Sequence, residues 1–327
     1  MLKYTVKRLL MMIPALIGIT LVSFVVMHLA PGDPTNYVTD MNPKASQAAR
    51  ERLREIYGLD KPIYVQYWNW FTSLAKLDLG RSFAPDRRPV KDKILERLPV
   101  TLSLNIFSMA IILLITMPLG LFAAVKAGGI FDKASTVFVF ICFAAPSFWL
   151  ALMAMYFFGV KLGWLPISGL TSLNYAQLSG WGKFTDLARH LAMPIIISSL
   201  GGLAGLSRYL RSNMLEIIRQ DYLTTARAKG LPENVVLWKH ALRNALIPVI
   251  TILGLSVPGL VGGSVIMESI YAIPGLGQLF YTAVMSRDYP VVMGGLVIGA
   301  VLTLIGNLLA DLGYALVDPR VRDSAFR

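Results

Sequence analysis

The chain has 327 residues, of which 55% are hydrophobic and only 15% are charged, and its mean hydropathy is +0.59. A soluble domain carries about a quarter charged residues, so this composition excludes an ordinary soluble globular protein and favours a chain that crosses a membrane several times. The net charge of +12 would also suit a nucleic-acid binder, but the long apolar runs favour lysine and arginine placed at the membrane faces.

Apolar runs separated by charged segments predict the membrane spans. A hydrocarbon core of about 30 Å needs roughly 20 helical residues, and only helices satisfy their own backbone groups within one span in lipid. The predicted spans are Leu9–Ala30, Leu102–Val125, Ser135–Val160, Leu191–Ser207, Ala245–Met267 and Val291–Ala310. The predicted fold is therefore an all-α, polytopic membrane protein with about six transmembrane helices.

The first run follows Lys3, Lys7 and Arg8, a pattern that also describes a signal peptide. The run is longer than a typical signal-peptide core and lacks a small-residue cleavage site. It ends at Pro31-Gly32-Asp33-Pro34, where two prolines stop a helix. We therefore predict that residues 1–30 form an uncleaved N-terminal transmembrane helix.

Lysine and arginine concentrate in the segments that face the cytoplasm. With six spans, the basic clusters before span one, between spans two and three, between spans four and five, and after span six all fall on one side. Those clusters contain Lys3, Lys7, Arg8, Lys126, Lys133, Arg208, Arg211, Arg219, Arg227, Lys229, Lys239, Arg243, Arg320, Arg322 and Arg327. Both termini, including the tail 318–327, are therefore predicted to be cytoplasmic, and segments 31–101, 161–190 and 268–290 to lie outside.

The sequence predicts regular structure within the external segment 31–101. Ala45 to Tyr57 is typical of a short polar helix, and Gln66-Tyr67-Trp68-Asn69-Trp70-Phe71 is dense in aromatic residues. Those aromatic side chains suit either a small external core or an interfacial belt near the lipid headgroups. The sequence leaves both interpretations open.

Ionisable residues are almost absent from the predicted spans. His28 lies near one end of span one, and Glu268 and Asp311 lie just outside span edges. Carriers driven by protons or ions usually keep such groups deep in the membrane. Their scarcity weakens the hypothesis of an ATP-independent secondary carrier.

Motifs for catalysis or cofactor binding are also missing. The sequence has no G-x-x-x-x-G-K-[ST] phosphate loop, and its serines and histidines are not grouped at a hydrolase spacing. The histidines His28, His190 and His240 are too far apart to predict a local metal site, and the lone Cys142 cannot form an internal disulfide. We expect no enzyme activity, cofactor or metal in this chain, and a free-energy source in another polypeptide.

The polar segment 221–250 between spans four and five predicts two short helices joined at Gly230, a residue suited to the left-handed conformation that closes a helix. Pro232 fits the first turn of the next helix, and Glu233 complements its dipole. One apolar face is predicted from Val235, Trp238, Leu242 and Ala245. The segment is thus expected to be a bent, rigid helix–turn–helix against the cytoplasmic ends of spans four and five.

Three roles compete for this polar segment. It could anchor two spans at the headgroups, or act as a DNA-binding helix–turn–helix, although the loop leaves no room for the third helix that such modules need. The third role is a docking element that a cytoplasmic partner grips and moves. Its stiff turn favours this last role, because a rigid element transmits force better than a floppy loop.

A resemblance becomes specific at these residues. The stretches Thr225-Ala226-Arg227-Ala228-Lys229-Gly230-Leu231 and His240-Ala241-Leu242-Arg243-Asn244-Ala245-Leu246-Ile247-Pro248 resemble the EAA loop of permeases in binding-protein-dependent ABC importers, and within them the "B" type of the dipeptide/oligopeptide/nickel branch. Further similar stretches are Gly18-Ile19-Thr20, Pro31-Gly32-Asp33-Pro34, Gly58-Leu59-Asp60-Lys61-Pro62, Asp78-Leu79-Gly80-Arg81-Ser82, Pro274-Gly275-Leu276-Gly277, Arg287-Asp288-Tyr289-Pro290 and Asp318-Pro319-Arg320. Thr224 and Thr225 depart from the family's Glu-Ala, and Leu77 from its frequent glycine.

The resemblance implies the type I importer fold, with a core permease domain at 102–317 and a cytoplasmic coupling loop at 208–244. It implies four kinds of partner: a second, homologous permease, two cytoplasmic ABC ATPase subunits that bind ATP and Mg²⁺, a periplasmic or lipid-anchored binding protein, and membrane lipids. The implied location is a bacterial or archaeal inner membrane. The residues implied to couple to the ATPase are Thr225, Ala226, Arg227, Ala228, Lys229, Gly230, Leu231, His240, Arg243 and Asn244.

In this reading Gly230 permits the tight turn, and Arg227 and Lys229 pair with acidic residues of an ATPase groove. The branch imports dipeptides, oligopeptides, nickel chelates and glutathione-like molecules, among which peptides are the commonest cargo. We therefore expect half of a peptide translocation pathway. Import of nickel or another small solute, or an ATP-independent carrier, remains the alternative.

Overall fold

The structure is a computed structural model that describes residues 2–29, 47–257 and 259–317. Regular structure in these ranges is helical, apart from one isolated antiparallel bridge between Arg81 and Pro89. The predicted all-α fold is thereby confirmed. The predicted tail 318–327 and the proline pair after span one lie outside the described residues.

The described residues form the helices α1 to α14 and one 3₁₀ turn. They are α1 (Leu2–Leu29), α2 (Gln47–Tyr57), α3 (Ile63–Ala75), α4 (Val90–Val125), α5 (Ile130–Ala144), α6 (Ser147–Ala154, continued by a π-helical Met155–Lys161), a 3₁₀ turn (Tyr175–Gln177), α7 (Gly180–Ile218), α8 (Asp221–Ala228), α9 (Glu233–Val235, a π-helical Val236–Ala241 and Leu242–Ala245), α10 (Ile247–Ser256), α11 (Gly259–Gly262), α12 (Val265–Ile270), α13 (Leu276–Met285) and α14 (Tyr289–Val317).

Five candidate spans are long and apolar enough to cross a membrane, and the bent pair α5–α6 brings the number in the described chain to as many as six. This agrees with the predicted polytopic fold. Two spans are longer than their apolar cores: α4 begins at Val90 rather than Leu102, and α7 covers Gly180–Ile218 rather than Leu191–Ser207. Hydropathy marks only the part of a helix that suits lipid, whereas backbone hydrogen bonding continues through the polar turns beyond it.

The third predicted span is not one straight helix. It divides into α5 and α6, which meet at 94°. Ala145 is extended (φ −73°, ψ 128°) and Pro146 precedes α6. Helical backbone angles are sterically disfavoured for the residue that precedes a proline. The Ala145-Pro146 pair therefore breaks the span.

The fifth predicted span is also broken, into α10, α11 and α12. Gly263 has a left-handed φ of +66° before α12, a conformation that side chains with a Cβ rarely adopt. The Asn105 Nδ2 of α4 donates to the Leu260 carbonyl at 2.7 Å, which satisfies a backbone group freed by the break.

The described part of the segment that was predicted to be external is bound to the start of α14. The Ser82 hydroxyl donates to Asp288, and the Phe83 N–H donates to Asp288 Oδ1 at 2.9 Å. Lys93 Nζ donates to Ser82 Oγ at 2.8 Å, and the ring of Tyr57, which ends α2, stacks on Phe83 at 4.0 Å. Two of the stretches that carry the resemblance thus meet here, and the predicted polar helix is found as Gln47–Tyr57.

The aromatic residues of α3 pack largely against α1. Phe24 lies edge-on to Tyr67 at 5.3 Å and stacks on Trp70 at 6.1 Å, and the Thr20 and Tyr67 hydroxyls are 3.3 Å apart. Trp68, in contrast, is 63% exposed. Helix α3 thus packs on the apolar span α1 and has no buried residue of its own, and Trp68 lies on its outer face.

Glu268 is fully buried in α12, so the prediction that it lies just outside a span is corrected. It accepts hydrogen bonds from the Gln278 N–H at 2.7 Å, the Ser264 N–H at 3.3 Å and the Thr101 hydroxyl at 3.1 Å. Thr101 also accepts the Leu276 N–H at 2.8 Å. A Cβ on Gly275 would collide with this carboxylate, so glycine lets the 274–277 turn wrap around it.

We expect Thr101→Val to lower the free energy of unfolding by about 1–3 kcal/mol, because it leaves the buried Leu276 N–H without its partner and removes one of the two donors of Glu268 Oε1. Thr303→Val is the matched control, since the Thr303 hydroxyl is exposed and bonds only within its own helix, to Gly299 O. Thermal melting of the purified protein in nanodiscs measures the difference. Equal melting temperatures for the two variants would contradict the structural role given to Thr101.

Candidate functional site

The polar segment forms an elbow, defined here as residues 221–245, which comprises α8, the Gly230 turn and α9. Gly230 has φ +79°, and the Leu231 N–H donates to the Ala226 carbonyl at 3.3 Å across the helix end. This is the left-handed closure predicted from sequence. Pro232 lies one position earlier than predicted, at the N-cap of α9, and its carbonyl accepts the Val236 N–H at 3.1 Å.

An ion pair braces the turn of the elbow. Arg227 Nη2 lies 2.9 Å from Glu233 Oε1, and Arg227 Nε donates to Glu233 Oε2 at 3.1 Å. The Arg227 hydrogen bond lowers the pKa of Glu233 below its ordinary value, and the same bond raises the pKa of Arg227. Because both side chains are partly exposed to solvent, the pair contributes little to global stability, but it braces the angle between the two helices. Arg227 therefore already has an acidic partner within this chain.

A second tie joins the two arms of the elbow. Asn244 Nδ2 donates to the Tyr222 hydroxyl at 2.7 Å and to the His240 carbonyl at 3.2 Å. Asn244 was predicted as a coupling residue, but its link to Tyr222 was not. The link connects the first turn of α8 to the last turn of α9, so the elbow moves as one piece.

The inner face of the elbow is buried against the ends of the spans. Leu223 is 0% and Ala226 8% exposed. They belong to one hydrophobic cluster, the elbow cluster, together with Leu121, Ala124, Leu210, Met214, Val236, Ala241, Leu242, Ala245 and Val249. The elbow cluster joins α8 and α9 to the ends of α4 and α7 and to α10, as the predicted rigid packing requires.

The apolar face of α9 is rotated from its predicted position. Leu242 and Ala245 are buried as expected, but Trp238 is 45% exposed, with its ring edge-on to Phe122 at 6.2 Å. Residues Val236–Ala241 are π-helical. The wider turn of a π-helix shifts the buried positions, so Val236 and Ala241 are inside instead.

The predicted coupling residues divide between two faces of the elbow. Ala226 is buried in the elbow cluster, and Arg227 and His240 are half-buried. The remaining coupling residues are exposed: Thr225, Ala228, Lys229, Gly230, Leu231, Arg243 and Asn244. Lys229 and Arg243 place positive charge on the exposed face, which suits an acidic partner surface.

An ion pair that the sequence did not predict locks α5 to α7 near the elbow. Arg211 Nε and Nη2 donate to the two oxygens of Asp132 at 2.6 and 2.7 Å, and Asp132 is only 4% exposed. Asp132 also accepts the Gly128 N–H at 2.8 Å. The two residues are 79 positions apart, so no local sequence pattern pairs them.

Three polar residues that showed no grouping in the sequence lie close together in the structure. The Ser172 hydroxyl is 2.5 Å from Asp186 Oδ1 and 3.3 Å from His190 Nε2, and His190 Nδ1 bonds to the Gly169 carbonyl at 2.9 Å. In a hydrolase triad the carboxylate would orient the histidine, whereas here it accepts from the serine. The group ties the loop before α7 to that helix.

Two models of one transport-protein family together match most of the chain. The family model described as "Binding-protein-dependent transport system inner membrane component" matches residues 116–323, and that of the N-terminal region of such components matches residues 1–105. The oligopeptide transport system permease protein AppB of Bacillus subtilis is 47% identical over 97% of this chain and 98% of its own. The di/tripeptide transport system permease protein DppB of Pseudomonas aeruginosa is 38% identical over 98% of this chain and 99% of its own.

We expect Leu223→Ala to detach the elbow from the spans, because truncating a fully buried leucine costs about 2–5 kcal/mol. Leu231→Ala is the matched control, since Leu231 lies in the same elbow but is 38% exposed. Hydrogen–deuterium exchange should speed up throughout α8 in the first variant and stay near wild type in the second. Equal protection of α8 in both variants would show that the elbow cluster does not hold it.

Proposed function

The chain belongs to the family of binding-protein-dependent transport system inner membrane components, and we propose that it is the peptide-carrying permease subunit of an ATP-driven importer. The observation that carries this proposal is the elbow: a rigid, basic helix pair whose outer face is exposed and whose inner face is packed onto the ends of the spans. Such an element suits force transfer from a second protein. Residues that only anchor a loop at the headgroups would not need a buried core of this kind.

The proposed assembly gives each function to a separate polypeptide. This chain and a homologous permease form the path, two cytoplasmic ABC ATPase subunits bind ATP and Mg²⁺, and a periplasmic or lipid-anchored binding protein delivers the substrate. The proposed parts of this chain are the N-terminal helix 1–30, the external segment 31–101, the core 102–317 with its coupling loop 208–244, and the cytoplasmic tail 318–327. The start of α4 at Val90 extends the core helix into the external segment.

In the proposed coupling step, the exposed face of the elbow lies in an acidic groove of one ATPase. Closure of the ATPase pair on ATP displaces the elbow. Because Leu223 and Ala226 share one buried cluster with residues of α4, α7 and α10, those helices follow, and the path changes from outward-open to inward-open. The chain is a multi-pass membrane protein, and this step requires both of its termini to be cytoplasmic.

Peptides are the proposed cargo because the relatives at 47% and 38% identity are named as oligopeptide and di/tripeptide permeases. Peptides vary in side-chain charge, which disfavours strongly charged groups along a shared path. Glu268 is consistent with this, because its carboxylate is fully buried and bound to three donors. ATP-dependent uptake of a labelled dipeptide into vesicles that contain the whole assembly tests the proposal. Uptake that is equally fast without ATP would contradict it.

We expect Gly230→Val to uncouple ATP hydrolysis from transport while leaving membrane insertion intact. The site has open space around it, so the effect comes from forcing a β-branched residue into a left-handed conformation, at a cost of about 1–3 kcal/mol, and from the changed elbow angle. Gly163→Val is the matched control, since Gly163 has φ +64° and open space but lies far from the elbow in sequence. The ratio of ATP hydrolysed to peptide transported should rise only in the Gly230 variant. Normal coupling in that variant would contradict the role of the turn.

We expect Arg227→Glu to weaken co-purification of the ATPase subunits by removing a positive charge from the elbow. The exchange Arg227→Glu with Glu233→Arg restores the internal ion pair but keeps the reversed charge at position 227. If position 227 contacts an acidic groove, the double exchange remains defective in ATPase binding. Full recovery of the ATPase stoichiometry in the double exchange would show that Arg227 serves only as an internal brace.

A further inference from the structure

A cavity of about 210 Å³ lies between α4, α5 and α7, at the end of these helices from which the elbow extends. Gly120 and Ala123 of α4, Val139 and Phe140 of α5, and Arg208 and Arg211 of α7 are among its lining residues. The proposed function makes no use of this cavity. Its position, beside the last apolar turns of the spans, corresponds to the headgroup level of the cytoplasmic leaflet in the proposed orientation.

The cavity carries a net positive charge. Arg208 and Arg211 are one helical turn apart and therefore share a face of α7. Asp132 neutralises Arg211, but its bonds use Nε and Nη2, so the Nη1 hydrogens of Arg211 are left for a second acceptor. Arg208 forms no ion pair with any carboxylate in the described part of the chain.

The Arg208 guanidinium has a defined position. It lies over the ring of Phe140 at 5.5 Å, and such stacking holds a guanidinium in place while leaving its edge N–H groups for hydrogen bonds. The planar Arg208 guanidinium, with the Arg211 guanidinium beside it, can donate hydrogen bonds to the oxygens of a phosphate group. The charged end of the cavity is thus suited to a phosphodiester.

The remainder of the cavity is apolar. Leu119, Ala123, Val139 and Ala204 form much of its wall, and Val137 and Phe138 of α5 are exposed nearby in sequence. A free anion gains nothing from such a wall, whereas the acyl chain of a lipid does. Basic pockets between transmembrane helices on the cytoplasmic side bind anionic lipid headgroups.

We propose that this cavity binds the phosphodiester of an anionic phospholipid of the cytoplasmic leaflet through Arg208 and Arg211, with an acyl chain along α4 and α5. The lipid bridges α5 to α7 beside the Asp132–Arg211 pair and stiffens the base on which the elbow lies. This inference rests on the proposed orientation of the chain and is independent of the cargo.

The test compares which lipids wild type and variants retain. The intact assembly is purified from membranes that contain both phosphatidylglycerol and phosphatidylcholine, and native mass spectrometry identifies the lipids that stay bound. Wild type should retain phosphatidylglycerol preferentially. Arg208→Gln should reduce the preference about fivefold, since each basic residue near an anionic membrane surface contributes about 1 kcal/mol. Arg208→Lys, which keeps the charge, should keep the preference, and so should Arg219→Gln, which removes an exposed cation outside the cavity.

An unchanged preference in Arg208→Gln would overturn the proposal. If wild type showed no preference for phosphatidylglycerol over phosphatidylcholine while inorganic phosphate bound to wild type but not to Arg208→Gln, the ligand would be a free phosphate and the lipid assignment would be overturned. Retention is measured without ATP, binding protein or peptide. Failure of the same purified assembly to transport peptide after reconstitution with ATP and binding protein would therefore count against the proposed function and leave the lipid site standing.

Discussion

The structure depends most on the apolar packing of the elbow against the ends of the spans. Leu223 and Ala226 are buried among residues of α4, α7, α9 and α10, and this cluster is the link between an exposed basic surface and the membrane core. Without it the elbow would be a loop that a partner could bend without consequence for the spans. In the proposed coupling step, this cluster passes a displacement of the elbow on to three membrane helices.

Side-chain hydrogen bonds join the helices at both ends of the bundle, and two spans are interrupted between those ends. Asp132 and Arg211 lock α5 to α7 near the elbow, and Asp288 and Glu268 hold the outer turns in hydrogen-bond networks. The breaks lie between these ends, at the Ala145-Pro146 pair and in the divided fifth span. The proposed path, which opens alternately to two sides, needs ends that transmit motion and interrupted helices that change direction, and this arrangement is consistent with both.

Local sequence signals predicted several of the features that depend on neighbouring residues. The apolar runs predicted the spans, and Gly230 with Pro232 predicted the turn. Sequence did not predict the Asp132–Arg211 pair or the Thr101–Glu268 hydrogen bond, whose partners lie far apart along the chain. It also did not predict the π-helical rotation that exposes Trp238. The coupling residues came from resemblance to a family, because their exposed side chains have no periodic pattern of their own. Their role therefore stays a prediction.

The most direct test of the elbow as a rigid connection is a distance measurement between spin labels at Lys126, beyond the end of α4, and Lys229, beside the turn. The labels would be placed in the reconstituted assembly and measured without nucleotide and with trapped ATP, together with a second pair that joins Lys229 to the partner permease. We expect the first distance to stay the same and narrow in both states while the second changes. A first distance that shifts or broadens with ATP would contradict the account, because the elbow would then move independently of the spans.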